Sequence, residues 1–111
     1  MNETNKQLEA IEPIDSIEHK LARPITFEGE HVTKLYLDFD KLSGKELALC
    51  SKLARRRDPQ DINPGRAYSM SYQITVAARA AGVAPDLIEA LNGKDFTQVT
   101  QLTENFLVGL G

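Results

Sequence analysis

The sequence predicts an α+β fold in which an N-terminal β-hairpin packs at one end of a small bundle of about four helices. Three observations predict it. Apolar residues alternate around Glu28-Gly29, as in a tight hairpin. Ser43 and Glu46 stand at capping-box spacing ahead of a helical apolar period. Asp58-Pro59, Asn63-Pro64, Gly82 and Asn92-Gly93 then divide the remaining chain into pieces of helical length.

Residues 1–16 are polar and acidic and are interrupted by Pro13. Ile11, Ile14 and the following Ile17 are too few to hold a helix against a core, which predicts a flexible arm that a partner would order. Residues 17–111 read as one domain. The hairpin occupies about 17–39. Pro24 suits a sheet edge, because it has no N–H to give to a ladder. With Glu28-Gly29 as the turn, Phe27 faces Glu30 and Ile25 faces Val32. Leu35, Leu37 and Phe39 also alternate, but out of phase with Val32, and a bulge near Thr33-Lys34 would restore the register. A hairpin alone is marginal in water, so it must lie on an apolar support.

That support starts with a helix at about 43–57. Leu42 and Leu47 are placed as a hydrophobic staple, Leu47, Cys50, Leu53 and Ala54 follow at helical spacing, and Arg55, Arg56 and Arg57 close the last turn. A second helix, at about 64–81, is signalled by Asn63-Pro64 and ended by Gly82. Its alanines, Ala77, Ala78, Ala80 and Ala81, would let a neighbouring helix approach closely. Pro85 opens a short helix at about 85–91 that carries Leu87, Ile88 and Leu91. The last helix, at about 94–108, has Asp95 in its first turn.

Composition narrows the function classes. The chain has 111 residues, 41% hydrophobic and 26% charged, with a net charge of -3. This balance gives no general attraction to nucleic acid or anionic lipid. A single cysteine, Cys50, rules out an internal disulfide framework and fits a reducing compartment. The start lacks the apolar stretch of a signal peptide, and no apolar run approaches the roughly 20 residues of a membrane span. The chain is therefore expected to be cytoplasmic, with no nucleic acid, membrane or small-molecule substrate as partner.

No catalytic constellation is legible, and the chain is read as a non-enzyme without metal or cofactor. Cys50 falls on the apolar face of its helix, the usual place of a small buried hydrophobe. His19 and His31 lie on or beside the hairpin and would be solvated, even as cross-strand neighbours; without a third ligand they make no metal site. Asp38 and Asp40 read as exposed residues at a strand end. The run Lys52 to Arg57, with Arg66 beyond the loop, is the one concentration of charge. Arg55, Arg56, Arg57 and Arg66 would offer electrostatic contact to phosphates or to an acidic partner, although a solvated helix end is the simpler reading. A helix-turn-helix over 64–91 is opposed by the short second helix and by the charges of Asp86 and Glu89.

The last helix is the best candidate for a partner surface. Val99, Leu102, Phe106 and Leu110 form one stripe; Phe96, Thr100, Thr103 and Leu107 form the next. Coverage this wide serves a core on both sides or leaves an apolar stripe open to a partner. Val99, Leu102, Phe106 and Leu110, with Ile25 and Phe27 of the hairpin, are the candidate contacts. On this reading Phe106→Asp removes binding and leaves the fold intact. Self-association is also expected, since a second copy can cover an unoccupied groove.

The succession "PITFEGEHVTKLYLDF", then "LSGKELALCSKL", then "AARAAGVAPDLIEALNGKDFTQVTQLTENFL" resembles the tail assembly chaperones of tailed bacteriophages, particularly Mu-like contractile-tailed phages. The resemblance spans about residues 17–108 and rests on the order and spacing of its parts: the Pro24 to Gly29 hairpin entry, the turn at 81–91, and the helix from Asp95 to Leu107. It implies a chaperone that binds the tape measure protein, the long helical chain that sets tail length. Such a chaperone keeps this client soluble while tail tube protein assembles around it, and is absent from the finished virion. It also implies action in the cytoplasm of the bacterial host, and a frequent longer form made by ribosomal frameshifting. It carries no catalytic residues to transfer. Two other readings stay open: a structural head-tail or tail adaptor, and a small DNA-binding regulator that uses the arginines.

Overall fold

The computed structural model describes residues 16–61 and 65–109. Two antiparallel strands, β1 (Ile17–Phe27) and β2 (Glu30–Leu37), lead through a 3-10 turn at Phe39–Lys41 into four helices. These are α1 (Gly44–Arg57), α2 (Met70–Ala81), α3 (Pro85–Ala90) and α4 (Gly93–Leu107). The α+β architecture is the one that the sequence predicts. Residues 1–15, Asn63-Pro64 and Leu110 lie outside the described residues.

Glu28 and Gly29 both take positive φ, 50° and 84°, which is the backbone of a type I′ turn. Phe27 faces Glu30 and Ile25 faces Val32, as expected. Past that point Lys20 pairs with Lys34 and Ile17 with Leu37, so the four residues Leu21 to Pro24 stand opposite Thr33 alone. The bulge therefore lies where the phase change demands it, but its extra residues belong to β1 and not to Thr33-Lys34. Pro24 explains the choice of strand, because a residue without an N–H cannot continue the ladder. The shift turns Leu21, Leu35 and Leu37 into the core and leaves Ile25, Phe27 and Val32 half-buried towards the turn. The regular strand ends at Leu37, short of the expected Phe39, because Phe39 has entered the 3-10 turn with its ring buried. The amide of Asp38 donates to the carbonyl of Ala80 at 3.1 Å, which ties the hairpin to the end of α2.

In α1 the capping box is formed: the Glu46 amide donates to Ser43 Oγ at 3.2 Å and the Ser43 amide to Glu46 Oε1 at 3.1 Å. Cys50 and Ala54 are the buried residues of this helix, and burial pushes the Cys50 thiol up from its ordinary pKa. α2 is buried from Tyr72 to Ala78 and again at Ala80, a helix enclosed on nearly all sides. The alanines at 77, 78 and 80 are buried against its neighbours, and Ala81 is half-buried. The helix starts at Met70, not at residue 64; a 3-10 turn at Arg66–Tyr68 precedes it and Ser69 Oγ accepts the Tyr72 amide at 3.3 Å. Ser69 is the cap because its hydroxyl reaches a free first-turn amide of the helix that begins at Met70. At the other end Gly82 takes φ 70°, and the amides of Gly82 and Val83 donate to the carbonyls of Arg79 and Ala78. Leu35, Leu37, Phe39, Cys50, Val76, Ile88 and Val99 belong to one continuous core that joins the hairpin to all four helices.

Candidate partner-binding surface

The hairpin is fixed to α4 by Asp95, whose side chain is fully buried. The bulge frees the backbone amides of Ala22 and Arg23. They donate to Asp95 Oδ1 at 2.8 Å and Oδ2 at 3.0 Å. His19 Nε2 lies 3.1 Å from Oδ1, and because an ionised carboxylate only accepts, that nitrogen carries the proton. His19 pairs with Leu35 and His31 with Thr26, so the two histidines are not cross-strand neighbours. His31 is exposed as expected, but the His19 side chain is only 11% exposed. Asn92 completes the clamp. Its Oδ1 caps α4 by accepting the amides of Lys94 and Asp95, and its Nδ2 donates to Asp95 Oδ2 at 2.8 Å.

Burial pushes the Asp95 carboxyl up, but the donors from Ala22, Arg23, His19 and Asn92 outweigh it, and the net pKa lies below the ordinary carboxylate value. A depressed folded-state value adds stability that is complete above the unfolded value, about 3.9, and disappears as pH falls through the folded one. The urea midpoint of the chain is therefore expected to fall on acidification below about pH 4, and less steeply in Asp95→Asn. Equal slopes in both proteins would show that Asp95 is not the group responsible.

The stripe expected on α4 is divided. Val99 is fully buried, as is Thr103, whose hydroxyl donates back to the Val99 carbonyl at 2.9 Å. Leu102 is half-buried. Phe106 is half-buried and stacks on Phe39, with ring centroids 4.9 Å apart. Ile25 and Phe27 are half-buried on the hairpin. Leu102, Phe106, Ile25 and Phe27 thus keep accessible edges on the folded chain, and Val99 does not.

A more open apolar surface lies between α2, α3 and α4. Met70, Ile74 and Glu89 are shared by two adjoining depressions, one continuing to Arg57 and Asp58, the other to Leu91, Gly93 and Phe96. Met70 is 57% exposed and Tyr68, just before it, 61%. The shallow part towards Leu91 and Phe96 is mainly apolar and the part towards Arg57 and Asp58 is about half polar, with the flexible Met70 thioether on their shared edge. This surface escapes sequence reading because a helix beginning at 64 puts Met70 in its second turn. The available signal was Ser69, which makes Met70 the first helical residue.

Among the arginines, Arg57 is engaged within the fold. Arg57 donates to Asp86 Oδ1 at 2.9 Å and to Glu89 Oε1 at 2.7 Å, so it bridges the end of α1 to α3. The two carboxylates that oppose DNA binding are thus occupied in the fold. Arg55, Arg56 and Arg66 are exposed. Among the described residues, no cluster of His, Cys, Asp and Glu is placed to hold a metal ion, and no helix is long and apolar enough to cross a membrane.

No curated protein and no solved structure matches the chain. A family model described as "Phage tail assembly chaperone proteins, E, or 41 or 14" matches residues 18–108, from the second residue of β1 to one residue past the end of α4. The match takes in the Asp95 clamp and the Met70 depression together, and with most of its length covered the chain belongs to the phage tail assembly chaperone proteins.

Proposed function

We propose that this tail assembly chaperone binds the tape measure protein, keeps it soluble in the host cytoplasm until tail tube subunits surround it, and leaves before the virion is complete. The family match over residues 18–108 carries the proposal, since it makes tail assembly the process in which the chain acts. The surface between α2, α3 and α4 supplies a physical means. An amphipathic client helix can insert apolar side chains over Met70, Ile74, Leu91 and Phe96, with Glu89 and Arg57 at the polar margin. Leu102 and Phe106 extend the apolar contact on α4. Binding of this kind hides client surface that would otherwise associate with further client.

The proposal is tested by following both proteins through infection. The chain is expected in the lysate together with soluble tape measure protein, and not in purified particles. Its presence in particles in fixed proportion to tail subunits would make it a structural adaptor instead.

A further inference from the structure

We infer that the acidic segment formed by residues 1–15 docks on a basic, apolar-floored groove along the outer side of α1. The groove is lined by Lys45, Glu46, Ala48, Leu49, Lys52 and Arg79. Leu49 is 39% exposed there, a large apolar side chain in the middle of a helix that otherwise presents charge outward. Arg79 and Glu46 pair across it at 3.6 Å. Among the described residues, no carboxylate lies within salt-bridge distance of Lys45, Lys52, Arg55 or Arg56. The helix is thus a basic surface on an acidic chain. Its complement is present in the same molecule: residues 1–15 carry Glu3, Glu9, Glu12 and Asp15 against the single Lys6, with Leu8, Ile11 and Ile14 among them.

Position favours this occupant over any external one. Ile17, where the described hairpin begins, pairs with Leu37. The next residue, Asp38, bonds to Ala80, whose neighbour Arg79 lines the groove. Ile17, two residues from the segment's end, is therefore linked through Leu37, Asp38 and Ala80 to the Arg79 side of the groove. Fifteen residues reach up to about 50 Å, several times the length of the groove wall supplied by α1 from Lys45 to Lys52. Tethering so close gives the segment an effective concentration in the millimolar range, which a free acidic peptide would have to match. Docking would place Leu8 or Ile11 over Leu49 and bring Glu9 and Glu12 to Lys45 and Lys52. This contact does not depend on which tail protein is the client.

The test uses the full chain with a nitroxide on Ala10→Cys, since the buried Cys50 is not available to the reagent. At low salt the amide signals of Ala48, Leu49 and Lys52 should broaden beyond detection, while those of α4 stay sharp. K45E/K52E and, separately, E9K/E12K should each restore the signals, and the two pairs combined should broaden them again. About 1 M salt, where charges are screened beyond about 3 Å, should weaken the effect in every version. Broadening that is spread evenly over the fold, or centred on Met70 and Phe96, would overturn the inference.

Discussion

Asp95→Ala is expected to lower the stability of the folded chain by roughly 3–5 kcal/mol, as for a buried charge network with one partner removed. The substitution leaves the Ala22 and Arg23 amides without an acceptor at a part-buried site, and it deprives His19 and Asn92 of theirs. For a chain of this size the thermal midpoint should drop by on the order of 15 °C. The control is Asp40→Ala, an exposed carboxylate whose loss should stay within about 0.5 kcal/mol. A drop no larger than that of the control would mean that the clamp does not hold the hairpin. The physical reason for a large effect is that the bulge and the clamp are one device. The bulge provides the register change that buries Leu21, Leu35 and Leu37, and Asp95 satisfies the backbone amides which that change removes from the ladder.

Met70→Asp is expected to reduce retention of the tape measure client at least about tenfold, equivalent to about 1.4 kcal/mol, by placing a charge at the mouth of the apolar depression. The fold should hardly register it. Met70 is 57% exposed, and an acidic residue in the first turn of α2 is favoured by the helix dipole. Phe106→Asp makes a poorer test than the sequence implies. Its ring stacks on the buried Phe39, so the substitution places a charge against the core and lowers stability by about 2–4 kcal/mol. Loss of binding in that variant would follow from loss of structure as readily as from loss of contact. Unchanged client retention in Met70→Asp, with an unchanged thermal midpoint, would move the contact to Leu102 and the hairpin.

Local signals were legible where the residues satisfy one another within a few positions. The Glu28-Gly29 turn and the Ser43–Glu46 box are of this kind, and both form as read. The start of α2 lies later than the Asn63-Pro64 signal implies, because a 3-10 turn at Arg66–Tyr68 precedes it and Ser69 caps the helix at Met70. In the sequence Asp95 is indistinguishable from an ordinary first-turn acid. Its partners lie 72 to 76 residues away, and the spacing of Asn92 and Asp95 shows a cap without showing what else the carboxylate holds. The stripe on α4 had the correct helical period but no information on depth. Val99 and Thr103 point into the core, Phe106 lies against Phe39, and Leu102 falls on the flank. Periodicity identifies a face; how far that face is covered depends on elements that arrive from elsewhere in the chain.

The most direct test of the central claim is co-expression of the full-length tagged chain with the tape measure protein of the same phage, followed by affinity capture and measurement of soluble client. The wild-type chain should retain the client and raise its soluble share several-fold, and Met70→Asp should retain little while expressing at the same level. A client that stays insoluble beside abundant folded wild-type chain, with nothing retained on the tag, would contradict tape measure binding and direct attention to other tail components.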